Sequence, residues 1–217
     1  MLSYNAFIFD LDGTLLDTLG DLAGSVNYAL RKHGLPECSL QEVRSFLGNG
    51  IVRLMQGAVK NAVQGEAFEE VFQTFRSHYL EHCLDTTQPY PGILPMMEKL
   101  REAGVKMAIV SNKLHPAVQE LSRRFFAELV TSAVGESENV RRKPKPDGVL
   151  RALKEMGSRP EEAVYVGDSE VDWETARNAG LRCALVCWGF RDEEFLRTLP
   201  GTFAYAQSPD DLLSLFK

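Results

Sequence analysis

Two carboxylates one residue apart, in Asp10-Leu11-Asp12-Gly13-Thr14, follow a short apolar run, Ala6-Phe7-Ile8-Phe9. Like charges at about 4 Å repel by roughly 4 kcal/mol at an effective dielectric near 20, so the pair needs a cation, a proton or both beside it. Three later segments bring candidate partners to the ends of apolar runs: Val110-Ser111-Asn112-Lys113, Lys143-Pro144-Lys145-Pro146-Asp147, and Val166-Gly167-Asp168-Ser169 with Asp172 close behind. Carboxylates, a hydroxyl and a lysine suit phosphoryl transfer. A carboxylate can attack phosphorus, magnesium can screen the approaching anions, and lysine with hydroxyl can hold the phosphoryl oxygens. Mg²⁺ takes only one or two protein carboxylates, with water and substrate phosphate filling the rest. Asp10, Asp12, Asp168 and Asp172 exceed that need, which leaves carboxylates for a nucleophile and an acid.

The elements that must position these residues read as a βα rhythm. Apolar runs at 107–110, 163–166 and 183–186 join the first run, with weaker strands expected at 129–134 and 203–205, and helix-length segments lie between them. Strands apolar on both sides belong in a parallel sheet covered by helices on both faces, which predicts a doubly wound α/β core. Ligands in such sheets bind beyond the carboxyl ends of the strands, so residues 150 positions apart are expected to converge there. The first connection is far longer than one crossover helix needs and predicts an inserted, helical subdomain. Phe68, Phe72, Phe75 and Tyr79 fall at helical spacing within it and read as a packing stripe. The expected division is 1–16 with 88–217 as core and 17–87 as insert.

Composition narrows the partners. A formal charge of -6 over 217 residues gives no broad basic surface for nucleic acid or an anionic membrane, but leaves room for a small anionic substrate. No secretory leader and no apolar stretch of membrane-spanning length is evident, so a soluble, cytoplasmic protein is expected. Cys38, Cys83, Cys183 and Cys187 lack metal or disulfide spacing and read as reduced packing residues. His78 and His82 share a helix face without a third ligand. Arg141 and Arg142 read as surface charge, and Trp188-Gly189-Phe190 as a packed loop near the site.

The four segments in order, Asp10-x-Asp12-Gly13-Thr14, Ser111, Lys143-Pro144-x-Pro146 and Gly167-Asp168-Ser169-x-x-Asp172, resemble the motifs of the haloacid dehalogenase superfamily. The resemblance implies that Asp10 is a nucleophile forming aspartyl-phosphate, and that Asp12 protonates the leaving alkoxide and then activates water. It implies Mg²⁺ held by the Asp10 carboxylate, the Asp12 backbone carbonyl and Asp168, with Asp172 acting indirectly. Ser111 and Lys143 would bind phosphoryl oxygens, with hydrogen bonds added by Thr14 and Asn112. An acid at position 12 fits phosphoesters, because a departing halide needs no proton. Trp173 departs from the pattern, where a smaller aliphatic residue is usual, and reads as a bulkier packing residue. The insert resembles the helical cap of the phosphoglycolate phosphatase-like branch. Gly48, Asn49 and Gly50 stand at its substrate-facing loop, and Arg53 or Arg44 is placed to meet a substrate carboxylate. A phosphatase of a small phosphorylated metabolite is therefore expected. A sugar-phosphate mutase, a pyrophosphatase or a phosphate-binding regulatory module without turnover stay open, as does monomer against homodimer.

Overall fold

A computed structural model describes residues 4–48 and 50–216. Among the described residues, β1 (Ala6–Phe9), β4 (Lys106–Leu114), β5 (Ser132–Glu136), β6 (Ala163–Gly167), β7 (Arg182–Val186) and β8 (Ala204–Ala206) form one sheet in the order β5-β4-β1-β6-β7-β8. Every neighbouring pair is parallel, with Ile8 beside Ala108 on one side and Tyr165 on the other. The expected strands are all present, and β4 runs on past 110 to Leu114. The chain winds outward from β1 in one direction and then in the other, so the order reverses at β1. A crevice opens at the strand ends there.

Alternation along each strand divides the core into two layers. Ala6, Ile8, Ala108, Val110 and Tyr165 join one buried cluster with Val149, Ala152, Leu153 and Met156 of α7 (Asp147–Met156) and Ala176 of α8 (Glu170–Asn178). The opposite side chains, among them Phe7, Phe9, Met107 and Ile109, are equally inaccessible to water, and α5 (Ile93–Glu102) packs against β4. Full burial of each such side chain is worth about 1.5–3 kcal/mol. Two-sided burial explains why these strands read as unbroken apolar runs.

The chain forms two compact units, Met1–Leu16 with Pro89–Lys217, and Asp17–Gln88. The second is helical: α1 (Leu19–Lys32), α2 (Leu40–Phe46), α3 (Ile51–Ala58) and α4 (Gly65–His82). Phe72, Phe75 and Tyr79 are buried along α4, with neighbouring rings stacked at 6.4 and 5.7 Å, so the aromatic stripe packs this unit. Asp21 ties α1 to the segment after α4. Its carboxylate accepts the Thr86 and Thr87 backbone N–H groups at 2.9 Å and the Thr86 hydroxyl at 2.6 Å. The remaining strands, β2 (Leu16–Asp17) and β3 (Gln88–Pro89), form a separate two-stranded sheet.

Candidate active site

Asp10 follows the last residue of β1, Asp168 follows β6, and Lys143 lies ahead of α7, and all three side chains are buried. The Lys143 Nζ donates to Asp10 Oδ1 and to Asp172 Oδ1, both at 2.7 Å. Carboxylate oxygens of Asp10, Asp168 and Asp172 lie within 4.8 Å of one another. Three carboxylates therefore face one ammonium in a region closed to solvent.

The electrostatics follow from that imbalance. Burial pushes the Asp10 carboxyl well above the ordinary carboxylate range, and Asp172 adds to the effect while Lys143 opposes it. Asp168 is pushed up to about 7 by burial and by Asp172, against the Phe190 N–H and the charges of Lys143 and Arg191. Burial alone would lower Lys143, but Asp10 and Asp172 together hold it above the usual lysine value. The ammonium is thus fixed. The residual negative charge suits a hard divalent cation with oxygen ligands.

The carboxylates differ in what they have left to offer. Asp172 Oδ2 accepts the Ser169 hydroxyl at 2.6 Å and the backbone N–H groups of Asp168 and Ser169 at 3.2 Å. Its Oδ1 accepts Lys143 and the Tyr165 hydroxyl, the latter at 3.1 Å. Five donors converge on about four lone-pair sites, so Asp172 is saturated although it stands close enough to bind an ion. Asp10 and Asp168 keep unshared lone pairs and could hold one. Ser169 and Asp172 also form the reciprocal cap that starts α8, so a helix terminus and the site share one carboxylate.

Asp12 is not among this group and makes its contacts to β4. Its Oδ1 pairs with Lys113 Nζ at 3.1 Å, and its Oδ2 accepts the Ser111 hydroxyl at 3.4 Å. Ser111 in turn accepts the Lys113 backbone N–H at 3.1 Å. Lys113 stands in a candidate segment of the sequence but receives no individual role from it. No sequence signal gave this pair, because the continuation of β4 past Val110 that carries Ser111 and Lys113 was not itself legible. Asn112 does something other than expected: its Oδ1 accepts the Lys143 backbone N–H at 2.6 Å and its Nδ2 donates to the Lys143 carbonyl at 3.2 Å. Its amide fixes the lysine. The Thr14 hydroxyl donates to Asp168 Oδ1 at 3.4 Å. Gly13 takes φ 85°, and a Cβ there would stand 2.5 Å from Asp168 Oδ2, so glycine is required on both counts.

The remaining sequence candidates lie in the helical unit. Gly48 and Gly50 have φ of 98° and 81°, Gly50 precedes α3, and Arg53 is exposed on that helix. Asn49 lies outside the described residues. The Trp173 indole donates to the Pro200 carbonyl at 3.1 Å, with Arg177 over its ring, away from the carboxylates. The His78 and His82 rings stack on each other, 4.2 Å between centroids. No helix among the described residues is long and apolar enough to cross a membrane.

A family model for haloacid dehalogenase-like hydrolases matches residues 7–186. A phosphoglycolate phosphatase of Aquifex aeolicus is 37% identical over 84% of this chain and 84% of its own length. An N-acetylmuramic acid 6-phosphate phosphatase of Pseudomonas aeruginosa is 32% identical, covering 85% and 82%. A crystal structure from Lactobacillus delbrueckii subsp. bulgaricus, which carries a provisional phosphoglycolate phosphatase name, superposes with a TM-score of 0.93 at 34% identity over 99% of both chains.

Proposed function

The chain belongs to the haloacid dehalogenase-like hydrolase family, and on that premise we propose that it is a magnesium-dependent phosphatase of a small phosphate monoester, acting through an aspartyl-phosphate on Asp10. The observation that carries this reading is the buried Asp10 carboxylate, oriented by Lys143 at 2.7 Å and grouped with Asp168 at the point where the strand order reverses. The relatives named above as phosphatases of phosphoglycolate and of N-acetylmuramic acid 6-phosphate support a monoester carrying a carboxylate, with phosphoglycolate as the leading substrate.

An Asp10 oxygen attacks phosphorus as the bond to the ester oxygen breaks, and Asp12 gives its proton to the departing alkoxide. Water then attacks the aspartyl-phosphate, Asp12 takes a proton from it, and phosphate leaves with Asp10 restored. Lys143 holds Asp10 in place, and with two N–H groups directed at Asp10 and Asp172 its third remains to meet a phosphoryl oxygen. The Ser111 hydroxyl, beside Asp12, meets another, and Thr14 steadies Asp168. Mg²⁺ held by Asp10, Asp168 and the Asp12 backbone carbonyl would supply Lewis-acid screening of the phosphoryl charge. Arg53 is the cation we assign to the carboxylate of the substrate, as the family resemblance of the insert implies.

The test is inorganic phosphate release over a panel of phosphoglycolate, N-acetylmuramic acid 6-phosphate, hexose phosphates, nucleotides and pyrophosphate, with Mg²⁺ and with EDTA. The expected result is turnover of small monoesters that EDTA abolishes and Mg²⁺ restores. Isomerisation without phosphate release, preference for pyrophosphate, or full activity in EDTA would overturn the proposal.

A further inference from the structure

The loop after β7, Trp188-Gly189-Phe190-Arg191, surrounds Asp168 and the Gly13–Thr14 turn, yet none of its side chains has a part in the chemistry above. The Phe190 backbone N–H donates to Asp168 Oδ2 at 2.7 Å. The Trp188 indole N–H donates to the Thr14 carbonyl at 3.0 Å, across 174 positions of sequence. Between them, Gly189 passes so close that a Cβ would stand 2.5 Å from both Asp168 Oδ2 and the Gly13 carbonyl. At the outer end, Arg191 grips Glu170 at the start of α8 through two bonds of 2.7 and 2.9 Å.

These contacts divide the work. Phe190 fixes one oxygen of Asp168 through backbone alone, so its aim depends on where the loop lies. The Arg191 fork ties the loop to α8, and the Trp188 indole ties it to the turn that follows Asp10 and Asp12. Within the turn, Gly13 N–H donates to the Leu16 carbonyl at 2.9 Å and Leu15 N–H to the Leu11 carbonyl at 3.0 Å, so the indole is the contact that registers this turn against the loop. The Thr14 hydroxyl on Asp168 Oδ1, already long at 3.4 Å, is the bond most sensitive to that register.

We propose that Trp188 is a positioning residue for the cation site: its indole N–H locks the Gly13–Thr14 turn to the loop that aims Asp168, so that the Asp10 and Asp168 carboxylates meet one ion together. The inference rests on the reading that these carboxylates hold Mg²⁺. Partners that orient metal ligands without touching the metal typically control affinity by about 10–100-fold. Trp188→Phe keeps an aromatic ring in the loop while removing the donor together with part of the indole's bulk, which the melting temperature reports separately.

The test is Mg²⁺ titration calorimetry on the whole protein, with thermal melting and steady-state kinetics alongside. Trp188→Phe is expected to weaken Mg²⁺ binding about 10-fold or more, with kcat returning toward wild type in excess Mg²⁺ and KM for the ester unchanged. A merely structural tryptophan would lower the melting temperature and leave Mg²⁺ affinity alone. Trp173→Phe, at the other tryptophan, is the matched control and is expected to bind Mg²⁺ as wild type does. Should Trp188→Phe fail to fold, Arg191→Gln releases the same loop from its outer end and is expected to weaken Mg²⁺ binding in the same direction. Wild-type affinity in the folded variant overturns the inference while leaving the phosphatase reading intact; a wild-type protein that binds no Mg²⁺ overturns both.

Discussion

At the scale of single residues, the site is a set of carboxylates with one chemical identity and three physical situations. Asp172 is saturated by donors, Asp12 is paired with Lys113, and Asp10 and Asp168 are desolvated with lone pairs to share. Desolvation has a consequence for stability without metal. Asp168 titrates near 7 in the folded chain, against 3.8 for an unperturbed carboxyl, so between those values the folded state binds more protons than the unfolded one. Stability of the metal-free protein is therefore expected to fall as pH rises through that window, and Asp10 shifts in the same direction. Urea denaturation in EDTA at about pH 5 and about pH 7 checks this, with the lower midpoint expected at the higher pH. A midpoint that rises over the same interval would show that other groups dominate the linkage.

At the scale of elements, α8 is where packing and chemistry meet. Its first turn is capped through Ser169 and Asp172, and Asp172 also receives Lys143 and Tyr165, so one side chain secures a helix start, a buried ammonium and a phenol. Asp172→Ala leaves Lys143 its bond to Asp10 but strips the Ser169 hydroxyl and the Asp168 and Ser169 N–H groups of their acceptor, and is expected to cost about 1–3 kcal/mol for each buried donor left unsatisfied. Asp10→Asn removes a buried charge that its neighbours oppose, so the metal-free variant is expected to melt no lower than wild type. Equilibrium denaturation of the two variants in EDTA separates the roles, and equal destabilisation would deny the division between organiser and reactant. The elements themselves were legible from sequence because two-sided burial leaves strands with no polar alternation to obscure them. β1, β6 and β7 match their apolar runs closely. The end of β4 at Leu114 was not legible, because 111–113 are polar and the pairing with β5 shifts register after Val110 before Leu114 meets Glu136.

At the scale of the whole molecule, the strand order decides which distant residues meet. The motifs that end the adjacent strands β1 and β6, with the one ahead of α7, pointed to Asp10, Asp168 and Lys143 as neighbours, and their types were enough to suggest phosphoryl transfer. Three contacts were out of reach of that reasoning: the Asn112 amide on the Lys143 backbone, the Asp12–Lys113 pair, and the Trp188 indole on Thr14. Each depends on side-chain direction at a loop or strand end, which neither composition nor periodicity specifies. The sequence also presented Asp172 as one candidate ligand among four, and only the geometry showed its lone pairs occupied. What unites the molecule is that the sheet brings one carboxylate, Asp10, the nucleophile of the proposed reaction, to a fixed ammonium. The most direct test of that claim is the initial rate of phosphate release from phosphoglycolate at saturating Mg²⁺, for wild type against Asp10→Asn. The account predicts a loss of at least about 10³-fold with the fold retained, as expected when an enzyme loses its nucleophile. Near-wild-type release by the folded variant would contradict it.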